Sequence, residues 1–332
     1  MTTDDSAGLR RVVKDAVVQH THFAKVMERL EKLLRDAAAR IPHVQTFIGE
    51  TGTGKTTAVR LFEQRHPKSR HDDGLCTPVL TLDTPAKPTP HAIGERLLQK
   101  LGDPKPSAGS AAAKMDRSIK MIGEEQALAI LFDNAHRFVD KRQNIAIFEG
   151  SDYLSELVSS VDVALCFLGL PEVRILIHSN EQLKTRNKDF FEIARFDWRN
   201  KESQDQFVGV LGDLQKVMQG FDVPDLTSPE LSLRMYLATG GLIRYVSNIL
   251  TTAIGNALDR NTTTITIKDL ESAWEEELVG AHEQFPDPFE RDYIFSGLAD
   301  KVARAKTIGQ RVMRPKPSRD RKPSAVLSEI GL

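Results

Sequence analysis

Gly49-Glu50-Thr51-Gly52-Thr53-Gly54-Lys55-Thr56, followed by Thr57, decides the reading of this chain, because it spells a complete phosphate-binding loop. Gly49, Gly52 and Gly54 let the backbone curl until successive N–H groups face a β-phosphate. Lys55 adds a mobile positive charge for the β and γ oxygens, and the Thr56 hydroxyl can enter the shell of a magnesium ion. The flanks agree. Val44-Gln45-Thr46-Phe47-Ile48 is a short apolar segment with β preference, and from Thr56 to Arg65 the residues Val59, Leu61 and Phe62 share one helical face, stopped by His66-Pro67. A strand–loop–helix unit sets a helix N-terminus, with its partial positive charge, against the phosphates.

The 332 residues are enough for a sizeable core and for two compact units. Forty-five Lys and Arg against forty-six Asp and Glu leave a net charge of −1, so no global field draws the chain onto nucleic acid or membrane. Any DNA contact must come from local patches. Cys76 and Cys166 have neither metal-site nor disulfide-framework spacing, as expected of small apolar fillers in a reducing compartment. The start Met1-Thr2-Thr3-Asp4-Asp5 lacks a signal-peptide pattern, and no apolar run approaches the roughly twenty residues of a membrane span. A soluble, cytoplasmic protein is expected.

Along the chain, residues 1–40 read as an N-terminal helical extension carrying Val12, Val13, Val17, Phe23, Val26, Leu30, Leu33 and Leu34 at helical spacing. Residues 41–200 read as an α/β nucleotide-binding unit. Its further strands are expected at Pro78–Asp83, Ala127–Asp133, Val161–Leu168 and Phe190–Phe196, the Ala127–Asp133 run being continuously apolar up to its final Asp, as in a strand buried on both faces. Strands alternating with helices predict a parallel sheet with the phosphates at its C-terminal edge. Residues 201–280 read as a small helical lid. The Pro-rich, basic stretch 281–332 is expected to be partner-bound or disordered.

Asp133, at the end of the buried strand, is placed to hold magnesium directly or through water, and a strand-ending Asp can also simply cap the next turn. Where most ATPases of this layout follow that Asp with a water-polarising Glu, this chain has Asn134. An amide orients water but cannot accept its proton, so hydrolysis is expected to be slow or partner-gated, unless another carboxylate supplies the function. Arg244, in Gly240-Gly241-Leu242-Ile243-Arg244, opens a lid helix and could reach the γ-phosphate of its own subunit. Arg186, in Gln182-Leu183-Lys184-Thr185-Arg186, could project into a neighbour's nucleotide as an arginine finger does.

In this ordered set the chain resembles AAA+ ATPases, and more narrowly the transposition regulators of the TniB and TnsC kind. The resemblance spans roughly residues 20–290. It runs from the loop through Pro78-Val79-Leu80, Gly102-Asp103-Pro104, Phe132-Asp133-Asn134-Ala135-His136 and Phe167-Leu168-Gly169-Leu170-Pro171-Glu172 to the Gly-Gly-Leu-Ile-Arg motif and Asp287-Pro288-Phe289. It implies an AAA+ α/β fold with a helical lid, ATP and Mg2+ as ligands, and homo-oligomers, ring or filament, around double-stranded DNA. It also implies recruitment of a transposase to a site chosen by a target-selection factor. Asn134 and Leu170, where a polar sensor is common, depart from the pattern and argue against vigorous turnover.

Local basic residues must carry any DNA contact. Lys114, Arg117 and Lys120 lie in or beside the helix before the magnesium strand, and Lys141-Arg142 follow it; in a ring they could neutralise phosphates without reading bases, or they could form solvated helix faces. Arg311, Arg314, Lys316, Arg319, Arg321 and Lys322 make the tail basic, for a partner, for DNA or for solubility. The competing functions are a nucleotide-gated protein-interaction scaffold that ignores DNA, and an initiator or helicase loader. The latter would be expected to carry a winged-helix reader after the lid, for which the stretch after residue 280 reads as too short and too Pro-rich.

Overall fold

The computed structural model describes residues 3–18, 20–71, 74–139, 144–278 and 285–309. Its centre is a parallel sheet of five strands: β1 (Val44–Ile48), β2 (Val79–Asp83), β3 (Ala129–Asp133), β4 (Ala164–Gly169) and β5 (Asn187–Glu192), in the order β2-β3-β4-β1-β5. Alternation on β3 sends Ile130 and Phe132 to one face and Ala129 and Leu131 to the other, and both faces are covered, which is why the strand reads as continuous apolar sequence. Cys166 on β4 is one of these buried fillers and forms no disulfide.

Helices α1 (Thr3–Asp15) and α2 (Thr21–Ala38) precede the sheet. Its other helices are α3 (Lys55–Arg65), α4 (Pro90–Lys100), α5 (Ala111–Glu124), α6 (Asn144–Ser160), α7 (Val173–His178) and α8 (Glu181–Arg186). Phe23, Leu30, Leu33 and Phe62 pack α2 and α3 on one face; α4 to α8 cover the other. A short antiparallel pair, Ser69–His71 with Gly74–Cys76, follows α3.

β5 begins three residues before the expected Phe190, and its first residues are polar. As an edge strand it needs no two-sided apolar surface. Instead Asn187 accepts from the Thr46 hydroxyl, Lys188 pairs with Asp36, and Asp189 takes the Arg29 guanidinium at 2.6 Å.

The helical unit holds α9 (Lys201–Val217), α10 (Pro229–Thr239), α11 (Ile243–Asp259), α12 (Ile267–Glu277) and α13 (Leu298–Ala305) around Phe207, Tyr236, Ile254 and Trp274. Ser228 caps α10 with Pro229 at its first position, and Gly240 ends it in the left-handed conformation. Two placements differ from the sequence reading. α1 packs on α11 through Val13, so the N-terminal residues serve two cores, the first helix the lid and the second the sheet. Residues 285–309, read as tail, are packed: Phe289, Val302, Ala305 and Ile308 are buried in the helical core. Among the described residues no helix is long and apolar enough to cross a membrane.

Candidate functional site

The loop after β1 emerges where Ile48 lies level with Gly169 of β4 and Glu192 of β5, at the C-terminal edge of the sheet. Its glycines have separate reasons to be glycine. Gly52 and Gly54 hold φ of 92° and 94°, a region that side chains avoid. At Gly49 a Cβ would stand 2.4 Å from the Ile193 carbonyl oxygen. Within the curl, Lys55 Nζ donates to the carbonyls of Gly49 and Glu50, each at 2.7 Å, and touches Thr53 Oγ1 at 3.4 Å. Burial brings the Lys55 ammonium down from 10.5 to about 8, although the charges of Asp133 and Glu50 act the other way.

Thr56 Oγ1 donates to Asp133 Oδ2 at 2.6 Å, so two hard oxygens from separate elements converge beside the loop. The other Asp133 oxygen accepts the backbone N–H of Asn134 at 2.8 Å, and its carbonyl accepts both the N–H and the hydroxyl of Thr84. Two oxygen donors with space for phosphate and water oxygens suit Mg2+, which seldom takes an all-protein cage.

Asn134 occupies the left-handed region, φ 55° and ψ 33°, where Asn is among the few tolerated side chains. Its Nδ2 donates to Asp83 Oδ1 at 2.8 Å, and Arg137 Nη1 donates to Asp83 Oδ2 at 2.8 Å. Desolvation would raise the Asp83 carboxyl, but these two donors outweigh it and hold it below the ordinary carboxylate value.

Arg244 reaches the loop from the lid. Its backbone N–H donates to the Gly52 carbonyl at 3.3 Å, and a Cβ on Gly52 would lie 2.9 Å from the Arg244 Cβ. Arg186 is elsewhere. It precedes β5, level with the start of β1 and a strand length of roughly 13 Å from the loop, with Nη1 donating to the Val158 carbonyl at 2.7 Å. Thr51 is exposed and Thr57 half-buried on the loop and first helical turn.

The DNA candidates separate. Lys114 is fully buried, its ammonium bonded to Glu95 at 3.3 Å and to the Pro106 carbonyl at 2.9 Å, so it offers no charge to a phosphate. The amphipathic spacing of α5 placed this lysine on the inner face, and Glu95 with the Pro106 carbonyl makes that burial tolerable. Arg117 pairs with Asp103 at 3.1 Å and holds two loop carbonyls. Lys120 remains 74% exposed, loosely paired with Glu124. Lys141 and Arg142, and every basic tail residue from Arg311 onward, lie outside the described residues.

Sequence reasoning missed Arg195. Only 7% exposed, it clamps the Glu50 carboxylate and donates to the carbonyls of Gly240 (3.2 Å) and Ile308 (3.1 Å), joining the phosphate loop, the turn after α10 and the turn after α13. An acidic residue inside a loop built for polyanions was the available signal, since it demands a cation nearby. Missed too was His20, buried with both ring nitrogens lacking hydrogen-bond partners and pushed down to about 4 by desolvation. It lies beside Phe23, whose ring lies 3.9 Å from where a Gly54 Cβ would stand.

Residues 9–199 match the family described as bacterial TniB protein. No curated protein matches the sequence. The fold is similar to that of Cdc6p from Pyrobaculum aerophilum, at 16% identity and a TM-score of 0.61 over 81% of this chain and 71% of that one. It is similar also to the Aeropyrum pernix ORC1 protein, solved in complex with DNA, at 17% identity and a TM-score of 0.60 over 81% and 69%. The Drosophila ORC bound to DNA gives 14% identity and 0.54 over 86% and 69%. These likenesses identify an AAA+ P-loop fold, in agreement with the parallel five-stranded sheet.

Proposed function

The chain belongs to the bacterial TniB family, and on that premise we propose that it is an ATP-dependent, DNA-associated regulator of transposition. In this reading it forms homo-oligomers on double-stranded DNA and recruits or activates a transposase at a site given by a target-selection factor. The observation that carries the reading is the convergence of Lys55, Thr56 and Asp133 with Arg244 of the helical unit on one loop. Residues 49–57 would wrap the phosphates, and Arg244 would meet the γ-phosphate. Thr56 and Asp133 would hold Mg2+, which when bound neutralises charge on the β and γ oxygens. Arg186 lies by the start of β1, at the end opposite its own loop, so any contact with a phosphate would be with a neighbouring subunit's nucleotide, as an arginine finger makes. The cytoplasm is the compartment proposed, where both cysteines stay reduced.

Two of the structural relatives were solved on DNA, which supports a duplex as partner here. The burial of Lys114 and the pairing of Arg117 favour a second reading, a nucleotide-gated protein scaffold without DNA. Fluorescence anisotropy of a labelled duplex, with a non-hydrolysable ATP analogue and rising salt, separates the two. The first reading expects nucleotide-dependent binding that weakens with a log–log slope of about −0.9 per phosphate neutralised, and rings or filaments in electron micrographs. A protein that binds the analogue but stays monomeric on duplex at low salt would overturn it.

A further inference from the structure

Asn134 cannot take a proton, but its side chain is not idle: the amide is fixed on a second carboxylate. Asp83 ends β2 as Asp133 ends β3, and the two are register partners on adjacent strands about 4.8 Å apart. Both therefore stand at the same C-terminal edge, where the phosphate loop opens. The Asp83 side chain is 67% exposed, so water reaches it. Its two oxygens each accept one donor, Asn134 Nδ2 on Oδ1 and Arg137 Nη1 on Oδ2, both at 2.8 Å. Arg137 is itself anchored on the Thr84 carbonyl, and Thr84 on the Asp133 carbonyl. A carboxylate offers about four lone-pair sites, so sites remain free on an oriented group.

Stability does not account for the arrangement. An exposed ion pair of this kind contributes little, and Asn134 adopts a left-handed backbone that most residues avoid. The backbone turn aims its amide back across the edge at Asp83.

We propose that Asp83 is the carboxylate that accepts the proton of the attacking water, with Asn134 and Arg137 as positioning residues that hold it. The acid usually found directly after Asp133 has in effect moved one strand over. This rests on the ATP-binding reading above. In the step, the water oxygen bonds to the γ-phosphorus while the bond from that phosphorus to the β–γ bridging oxygen breaks. The electron pair leaves with ADP, inorganic phosphate is formed, and the water's proton passes to Asp83 and then to solvent. No other co-reactant is required.

The test compares wild type with Asp83→Asn, Asn134→Asp and the double variant that carries the acid on β3 instead of β2. Asp83→Asn is nearly isosteric, and the double variant still sets one amide against one carboxylate in a turn that Asp tolerates, so both are expected to melt with the wild type. Asn134→Asp alone sets two carboxylates against each other and should melt lower. Asp83→Asn should lower the turnover of ATP about 100-fold or more, the usual range for losing a general base. Its Kd for ATPγS should stay within about threefold, because binding does not use the proton acceptor. Assemblies formed with ATP on duplex should correspondingly last longer. The double variant should regain at least about tenfold over Asp83→Asn. Wild-type turnover in Asp83→Asn would overturn the proposal, as would an equal loss of ATPγS binding. A wild type that binds ATPγS but never hydrolyses ATP, with or without duplex, would overturn it and leave the binding reading standing. Failure to bind ATPγS would remove both.

Discussion

On the ATP-binding reading, Lys55 would link nucleotide affinity to proton uptake, and the size of the link follows from its surroundings. Within the loop its ammonium sits on two carbonyls at 2.7 Å in a largely desolvated position, which brings it from 10.5 to about 8. Phosphates beside it would favour the charged form and restore the higher value. At pH 7 roughly nine-tenths of the empty protein already carries the charge, so binding takes up little proton. At pH 9 roughly nine-tenths lacks it, and binding must take up close to one. Affinity should therefore fall about tenfold for each pH unit above 8, about 100-fold at pH 10, or ~2.7 kcal/mol. The terminal phosphate, with a second pKa near 6, is about nine-tenths ionised at pH 7 and essentially fully so above pH 8, so it contributes little. Stability of the empty protein moves the opposite way. Because the folded value lies below the unfolded one, the charged lysine opposes folding below pH 8, and that cost, about 3 kcal/mol, is relieved between pH 8 and 10.5. Calorimetric titration with an ATP analogue, in buffers of differing ionisation enthalpy, measures both Kd and protons taken up. The control is Lys55→Met, which should bind weakly with a flat profile. A wild-type Kd that changes less than threefold between pH 7 and 9.5, or an equal proton count in Lys55→Met, would refute the reasoning.

The Arg195–Glu50 pair should be lopsided. Arg195→Ala leaves two inner carbonyls without donors and should cost about 2–4 kcal/mol in urea unfolding. Glu50→Gln, on a 41% exposed side chain, should cost under about 1 kcal/mol, and equal costs would show that the ion pair rather than the carbonyl contacts matters. Lys114→Met removes the donor to the Pro106 carbonyl and to Glu95, so its melting stability should fall by about 1–3 kcal/mol. Its affinity for duplex should be unchanged, whereas Lys120→Ala should weaken DNA binding if this helix faces the phosphates; a fall on Lys114→Met would return that residue to the contact surface.

How much of this was legible depended on whether a residue's partner lay nearby in sequence. The loop carries its chemistry in its spacing, and β3 announced itself as an unbroken apolar run because both faces are covered. β5 was misplaced because its opening residues are polar, and their partners Asp36, Arg29 and Thr46 lie far upstream. Lys114 read as a surface cation until α4 placed Glu95 against it. Residues 285–309 fell within the stretch 281–332 that reads as tail for its prolines and charges, yet Phe289, Val302 and Ile308 are buried in the helical core. In each case local composition was outvoted by a contact made across the fold.

The loop and the lid also share a mechanical constraint that neither segment shows alone. Lys55 must leave the Gly49 and Glu50 carbonyls to grip phosphates, since one ammonium cannot keep both sets of partners at 2.7 Å. Glu50 is the residue whose carboxylate Arg195 clamps, and the same guanidinium holds Gly240 and Ile308. Gly240 has no slack: a Cβ there would meet the Ala305 carbonyl oxygen at 2.2 Å, and Gly241 lies equally close to Phe196. Arg244 follows within one helical turn and rests on Gly52. A shift of Glu50 when phosphates enter would be felt at the turn after α10 and at the turn after α13 through one side chain. Nucleotide occupancy and the segment up to Ile308 are thus joined through the contacts of Arg195 with Glu50, Gly240 and Ile308.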